Sequence, residues 1–285
     1  MSQLAIAAEA VALPAPSLSL PKRSPITTVM RRILRHRGAR LGLVVFLGFV
    51  LMAALSHWIV PYDPNVQNAV LGLTPPSAAH PFGTDVFGRD ILSRIIDASK
   101  LTLLIAFASV AISTLAGVTL GLLTGYFQGW LDAIIMRCMD VLLSFPGLVL
   151  ALVLAAIMGP GLVSVIVAVG IAGIPTFARV ARSAVLTVRN NDYVEAARAI
   201  GCASGAVIRR HVLPNTLAPI IVLTTLYIAF AVLTASSLSF LGVGVRPPTA
   251  EWGSMTNEGR SILQVAWWVS TFPGMMIMLL VLSAN

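Results

Sequence analysis

Residues 192–215 read DYVEAARAIGCASGAVIRRHVLPN, a polar stretch set between two long apolar runs at about 162–178 and 217–241. That contrast decides the fold class. A bilayer core of roughly 30 Å takes roughly 20 apolar residues per helix. Working outward from the polar stretch, further apolar runs stand at about 41–59, 101–125, 134–157 and 267–284. Together they predict an all-α integral membrane protein with six transmembrane helices, in which 192–215 connects the fourth to the fifth. Composition agrees: 57% of the residues are apolar, 11% are charged and mean hydropathy is +0.90. A soluble domain of ordinary make-up is excluded.

The formal charge of +8 does not read as a nucleic-acid footprint, because the basic residues flank apolar spans and are not interleaved with aromatics on a polar surface. Their distribution follows the positive-inside rule. Lys22, Arg23, Arg31, Arg32, Arg35, Arg37 and Arg40 crowd against the first span, Arg137 lies between the second and third, and Arg179, Arg182, Arg189, Arg198, Arg209 and Arg210 lie between the fourth and fifth. These are fourteen of the nineteen basic residues; Arg89, Arg94, Lys100, Arg246 and Arg260 fall on the other side. Both termini are therefore expected in the cytoplasm. The first 21 residues are rich in Ala, Pro and Ser and lack a basic start, so they read as a disordered tail and not as a signal peptide. The chain divides into 1–40, a first helix with its outside loop over 41–96, and a membrane domain over 97–285 with a cytoplasmic loop at about 190–215.

Several local features carry expectations. Met158, Gly159, Pro160 and Gly161 suffice for a tight turn between helices three and four. Pro146 and Pro175 lie inside predicted spans, where each removes a backbone donor and can kink the helix. Gly117, Gly121 and Gly125 form a small-residue face for close packing, within this chain or against a second subunit. Arg137 and Asp140, three apart on one helix face, are expected to pair. Asp85, Arg89, Asp90 and Arg94 read as an internally neutralised set that stiffens the outside loop or contacts a binding protein.

Chemistry-bearing constellations are sparse. Cys138 and Cys202 lack metal-ligand spacing, His36, His57, His80 and His211 are scattered over both sides, and neither Lys22 nor Lys100 lies in a phosphate-binding loop. No catalytic, cofactor-binding or metal-ligating residue is assigned, the chain does not read as an enzyme, and an energy source must come from partners. A proton-coupled secondary transporter is the rival class; it requires ionisable groups near mid-membrane on several helices. Helices one, two, five and six have none in their central turns.

Glu195-Ala196-Ala197, three spacers, Gly201, and then Leu213-Pro214 resemble the EAA loop of importer-type ABC permeases. The run from Phe82 to Arg94, FGTDVFGRDILSR, is similar to a signature of peptide and nickel ABC permeases. So are Ser239–Gly244, Pro247-Pro248, Glu251-Trp252-Gly253, Trp267-Trp268 and Phe272-Pro273-Gly274. The resemblance spans nearly the whole chain from about residue 41 and is nearest to the C-type permease subunit of dipeptide and oligopeptide importers. It implies the type I ABC importer transmembrane-domain fold in a bacterial inner membrane. It also implies a second homologous permease, two cytoplasmic ABC ATPase subunits carrying ATP and Mg, and an extracytoplasmic substrate-binding protein. Peptide is the implied cargo, with nickel as the alternative within the family and a non-transporting scaffold as a third reading.

In the EAA-like loop, Glu195 offers a carboxylate to the ATPase, while Ala196 and Ala197 permit close approach to it. Gly201 takes the positive φ of a turn. Leu213 anchors the returning segment and Pro214 ends it. His211 stands where the general pattern has an aliphatic residue, and its role is open.

Overall fold

The computed structural model describes residues 36–285; the expected tail and the basic residues from Lys22 to Arg35 lie outside them. Residues Leu41–Asn285 form one compact unit, distinct from the segment ending at Arg40. The described residues are helical throughout their ordered elements: α1 (Arg37–Ile59), α2 (Ile91–Phe127), α3 (Gly129–Leu143), α4 (Gly147–Met158), α5 (Leu162–Arg189), α6 (Asp192–Ala199), α7 (Ser204–Val207), α8 (Leu213–Phe240), α9 (Trp252–Glu258) and α10 (Trp268–Ala284). A π-helical turn, Ile208–Val212, joins α7 to α8. The division drawn at 96/97 falls within α2.

α1, α2, α5 and the continuous stretch Ser204–Phe240 are each long and apolar enough to cross a membrane. α10 is apolar but only 17 residues long. The predicted third span, 134–157, is sharply bent: α3 and α4 meet at 91°. Pro146 is the cause, because it precedes α4 in an extended conformation and cannot supply the donor that a continuous helix needs. Pro disfavours helical backbone in the preceding residue as well, so Phe145 leaves the helix too. Pro175, by contrast, lies inside the continuous α5.

The bend lays α3 against the C-terminal half of α5 and redirects its acids. Asp132 accepts two bonds from Arg182 at 2.6 and 2.7 Å, and Asp140 accepts one from Arg179 at 2.7 Å. The expected Arg137–Asp140 pair is thus replaced, because α5 supplies better-placed guanidinium groups from across the bundle.

α2 and α5 pack through the glycine face, and their neighbour is this chain. A Cβ at Gly117 would stand 2.5 Å from that of Phe177, one at Gly121 2.5 Å from the Ala178 carbonyl, and one at Gly125 2.8 Å from the Val185 Cβ. Ser109 and Ser113 donate to the Ile166 and Gly170 carbonyls at 3.1 and 2.7 Å, setting the two helices parallel and in register. Without a hydrophobic drive between helices in lipid, such close contacts and interhelical hydrogen bonds supply cohesion. α1 is peripheral. Phe49 and Ser56 are its buried residues, while Leu41, Val44 and Trp58 are exposed, as a lipid-facing helix requires.

Candidate functional site

The EAA-like loop is built on an apolar platform. Val194 and Ala197 of α6 are buried in a cluster with Tyr126 from the end of α2, Val185 and Val188 from the end of α5, and Val207 and Val212 from the returning segment. Spacing of three residues puts Val194 and Ala197 on one helical face, and that face turns inward. Arg198 adds a second tie by placing its guanidinium 4.8 Å from the centre of the Tyr126 ring. Asp192 and Glu195 lie in the first turn, where the helix dipole favours negative charge.

α6 ends as its sequence dictates. Gly201 has φ +82°, its N–H donates to the Arg198 carbonyl at 2.9 Å, and the Cys202 N–H donates to the Ala197 carbonyl at 3.1 Å. A Cβ at Gly201 would meet nothing within 4 Å, so backbone conformation alone demands glycine there.

Of the residues picked out from the sequence, Glu195 and Ala196 are exposed on the outer face of α6 and are free to meet a partner. Ala197 is not. It is 6% exposed, and its small side chain serves contact with this chain's own α2 and α5. Pro214 does not end a segment; it lies inside the continuous helical stretch Ser204–Phe240, directly after the π-helical turn, where it offers no N–H to the preceding turn. Leu213 begins α8 and is half-buried. His211 lies in the π-helical turn, with its carbonyl accepting from Asn215 Nδ2 at 2.7 Å and its ring 6.4 Å from that of Tyr193. Two exposed apolar residues were missed: Tyr193, and Ile200, which is 80% exposed beside the Gly201 turn. Apolar spacing gave no sign that these would face outward while Val194 faced inward.

At the opposite end of the bundle, the charged loop between α1 and α2 is a buried ion cluster. Asp85 Oδ2 accepts from Arg89 Nε at 2.6 Å and Arg94 Nη1 at 2.8 Å, and Glu258 closes the set at 2.9 Å from Arg89 and 3.4 Å from Arg94. Internal neutralisation is observed, but the fourth member is Glu258 and not Asp90. Asp90 instead caps α2 by accepting from the Ser93 N–H at 2.8 Å and pairs with His80 at 2.9 Å. Burial of Asp85, Arg89 and Arg94 withdraws them from any partner surface.

The cluster clamps the α1–α2 loop to the last third of the chain. Trp252 and Trp268 donate to the Ile95 and Thr84 carbonyls at 3.0 and 3.1 Å. Glu251 caps α9 by accepting from the Gly253 and Ser254 amides, both at 2.9 Å. Burial pushes its carboxyl above the usual carboxylate range, while those two amides pull it back.

Residues 117–285 match the family model described as binding-protein-dependent transport system inner membrane component, and residues 24–76 match the N-terminal TM domain of oligopeptide transport permease C. The chain belongs to the binding-protein-dependent transport system inner membrane component family. It is 42% identical to the di/tripeptide transport system permease protein DppC of Pseudomonas aeruginosa, over 95% of this chain and 92% of that one. It is also 42% identical to the glutathione transport system permease protein GsiD of Pectobacterium atrosepticum, over 92% of this chain and 88% of that one. Identity to the probable D,D-dipeptide transport system permease protein DdpC of Escherichia coli is 43%, over 85% and 81%. Among solved structures, an inward-facing MetNI methionine ABC transporter superposes with a TM-score of 0.56 at 20% identity, over 66% of this chain and 89% of that one. The permease thus has the fold of ABC importer transmembrane domains and is a multi-pass inner-membrane transport component.

Proposed function

We propose that this permease carries peptides inward as one half of the membrane channel of an ABC importer. In this reading it pairs with a second homologous permease, rests on two cytoplasmic ABC ATPase subunits that hold ATP and Mg, and receives cargo from an extracytoplasmic binding protein. Both termini then lie in the cytoplasm. ATP hydrolysis belongs to the ATPases, and this chain contributes no catalytic group and binds no cofactor. Peptide is preferred over nickel because the relatives are named for di- and tripeptides, D,D-dipeptides and glutathione.

The observation that carries the reading is the two-faced α6. Its outer face presents Glu195 and Ala196, while its inner face is locked by Val194 and Ala197 onto the ends of α2 and α5. A push from an ATPase on the outer face is delivered directly to Tyr126 and Val185. Because the Gly117, Gly121 and Gly125 contacts leave no space between α2 and α5, that pair moves as one body. This is the behaviour required of rigid-body switching between inward- and outward-facing arrangements. Gly201 positions the helix end, and Leu213 and Pro214 continue the returning helix from the π-helical turn, in which Val212 closes the platform.

Reconstitution tests the reading. Proteoliposomes containing both permeases, the ATPases and the binding protein are expected to accumulate dipeptide with ATP, and to continue after an uncoupler collapses the proton gradient. Uptake by this chain alone under an imposed pH gradient would instead assign it to the proton-coupled class.

A further inference from the structure

The α3–α4 break lies within the stretch that would otherwise be a straight span, and beside it is a pocket of about 370 Å³. Leu142, Phe145 and Gly147 line it from the break, Thr176 from α5, and Tyr227 and Phe230 from α8. Non-helical backbone at membrane depth is tolerated only where protein buries it or where it lines a water-filled cavity. Phe145 is 51% exposed at this break, so protein burial is not the explanation within this chain.

Two further polar features converge there. Thr176 of α5 is half-buried and lines the pocket. The buried Tyr227 lines it as well, with its hydroxyl against Gly173; among the described residues that hydroxyl has no hydrogen-bond partner. Phe145 and Phe230 supply apolar walls. The volume lies at the lower end of the roughly 300–1,000 Å³ of small-molecule sites.

We propose that this pocket is a wetted station on the cargo path, where a short peptide seats an apolar side chain against Phe145 and Phe230. Its backbone amides then reach Thr176 and the Tyr227 hydroxyl. The lining named above contains no imidazole, thiolate or carboxylate, so the station suits an amphipathic organic cargo and not a transition-metal ion. The inference rests on the importer reading above, and it names the residues that cargo touches in this half of the channel.

The experiment uses the complete importer with Cys138 and Cys202 replaced, both of which are exposed. A single cysteine is introduced by Thr176→Cys, or by Leu115→Cys on an exposed apolar face of α2 as the control. Each is treated with a charged methanethiosulfonate reagent, which needs water to react, with and without ATP and excess dipeptide. Position 176 is expected to react, to lose dipeptide uptake on modification and to be protected by dipeptide, while position 115 stays unreactive. Thr176→Val, which removes the hydroxyl at nearly constant shape, is expected to assemble normally and to raise the KM for dipeptide. An unreactive position 176 in every nucleotide state would show the pocket covered by lipid or by the second permease, and reaction without loss of uptake would place it off the path. Either result overturns the proposal while ATP-driven uptake by the cysteine-free importer leaves the function reading standing. Absence of that uptake, with a reactive position 176, would overturn the function reading instead.

Discussion

Ala196 and Ala197 are adjacent, identical and opposite in fate, because a helix turns 100° per residue and points one out and the other in. Ala197→Trp is expected to overpack the Tyr126–Val185 cluster at a cost of about 1–3 kcal/mol and to lower the melting temperature in detergent. It therefore does not report on the ATPase interface. Ala196→Trp is expected to keep wild-type thermal stability and membrane amount while losing ATPase co-purification; unchanged co-purification would remove α6 from the docking surface. At Gly201 the backbone has φ +82° with open space around it. Gly201→Val is accordingly expected to cost about 1–3 kcal/mol through strain, and Gly201→Asn less, since Asn tolerates that region. Comparing the two melting temperatures checks the conformational account. The Gly201 turn was legible in the sequence because the fault lies in one residue's own backbone. The inward turn of Ala197 was not, because it depends on where α2 and α5 end.

Glu251 illustrates how an element is held by a group that burial perturbs. It caps α9 through two amides, so Glu251→Ala is expected to cost about 1 kcal/mol, the usual value of a lost N-cap. Its pKa is raised in the folded chain, so the folded state holds the proton more firmly than the unfolded one. The stabilisation from this linkage is full below the ordinary carboxylate pKa and is lost as pH rises through the elevated value. Melting measured across that range should fall with rising pH in the wild type and fall less in Glu251→Gln; parallel curves would contradict the assignment. α3 teaches the complementary lesson. Its helical character and its break at Pro146 are local chemistry, whereas its attachment to α5 through Asp132–Arg182 and Asp140–Arg179 joins residues 50 and 39 positions apart. The Asp132 pair is bidentate and more sheltered than the half-exposed Asp140 pair. Asp132→Asn is therefore expected to destabilise more than Asp140→Asn, whose exposed bridge contributes about 0–1 kcal/mol.

For the molecule as a whole, topology is the sharpest consequence of the charge distribution. Positions 78 and 204 are both exposed, so single cysteines there can be labelled without disturbing the core. In a background lacking Cys138 and Cys202, position 204 is expected to react only from the cytoplasm and position 78 only from outside; the reverse pattern in either would overturn the orientation. At the same scale, the Asp85–Arg89–Arg94–Glu258 cluster ties the α1–α2 loop to α9. Breaking it by Glu258→Ala leaves two buried cations facing one carboxylate. The cost of an unpaired buried charge, about 3–5 kcal/mol where no water reaches it, is an upper bound here because Glu258 is partly exposed.

Membrane class, the approximate spans, the connector at 192–215 and the family were all decided by the linear order of apolar, charged and Gly or Pro residues, since lipid acts on each segment separately and punishes every unsatisfied backbone group. Tertiary structure alone decided that Glu258 completes the ion cluster, that Arg179 and Arg182 and not Arg137 meet the acids of α3, that the glycine face of α2 meets α5, and that Ala197 is core. Each of these is a contact between residues far apart in the chain. Which of several chemically equivalent partners wins depends on helix register and crossing, and no local pattern encodes either.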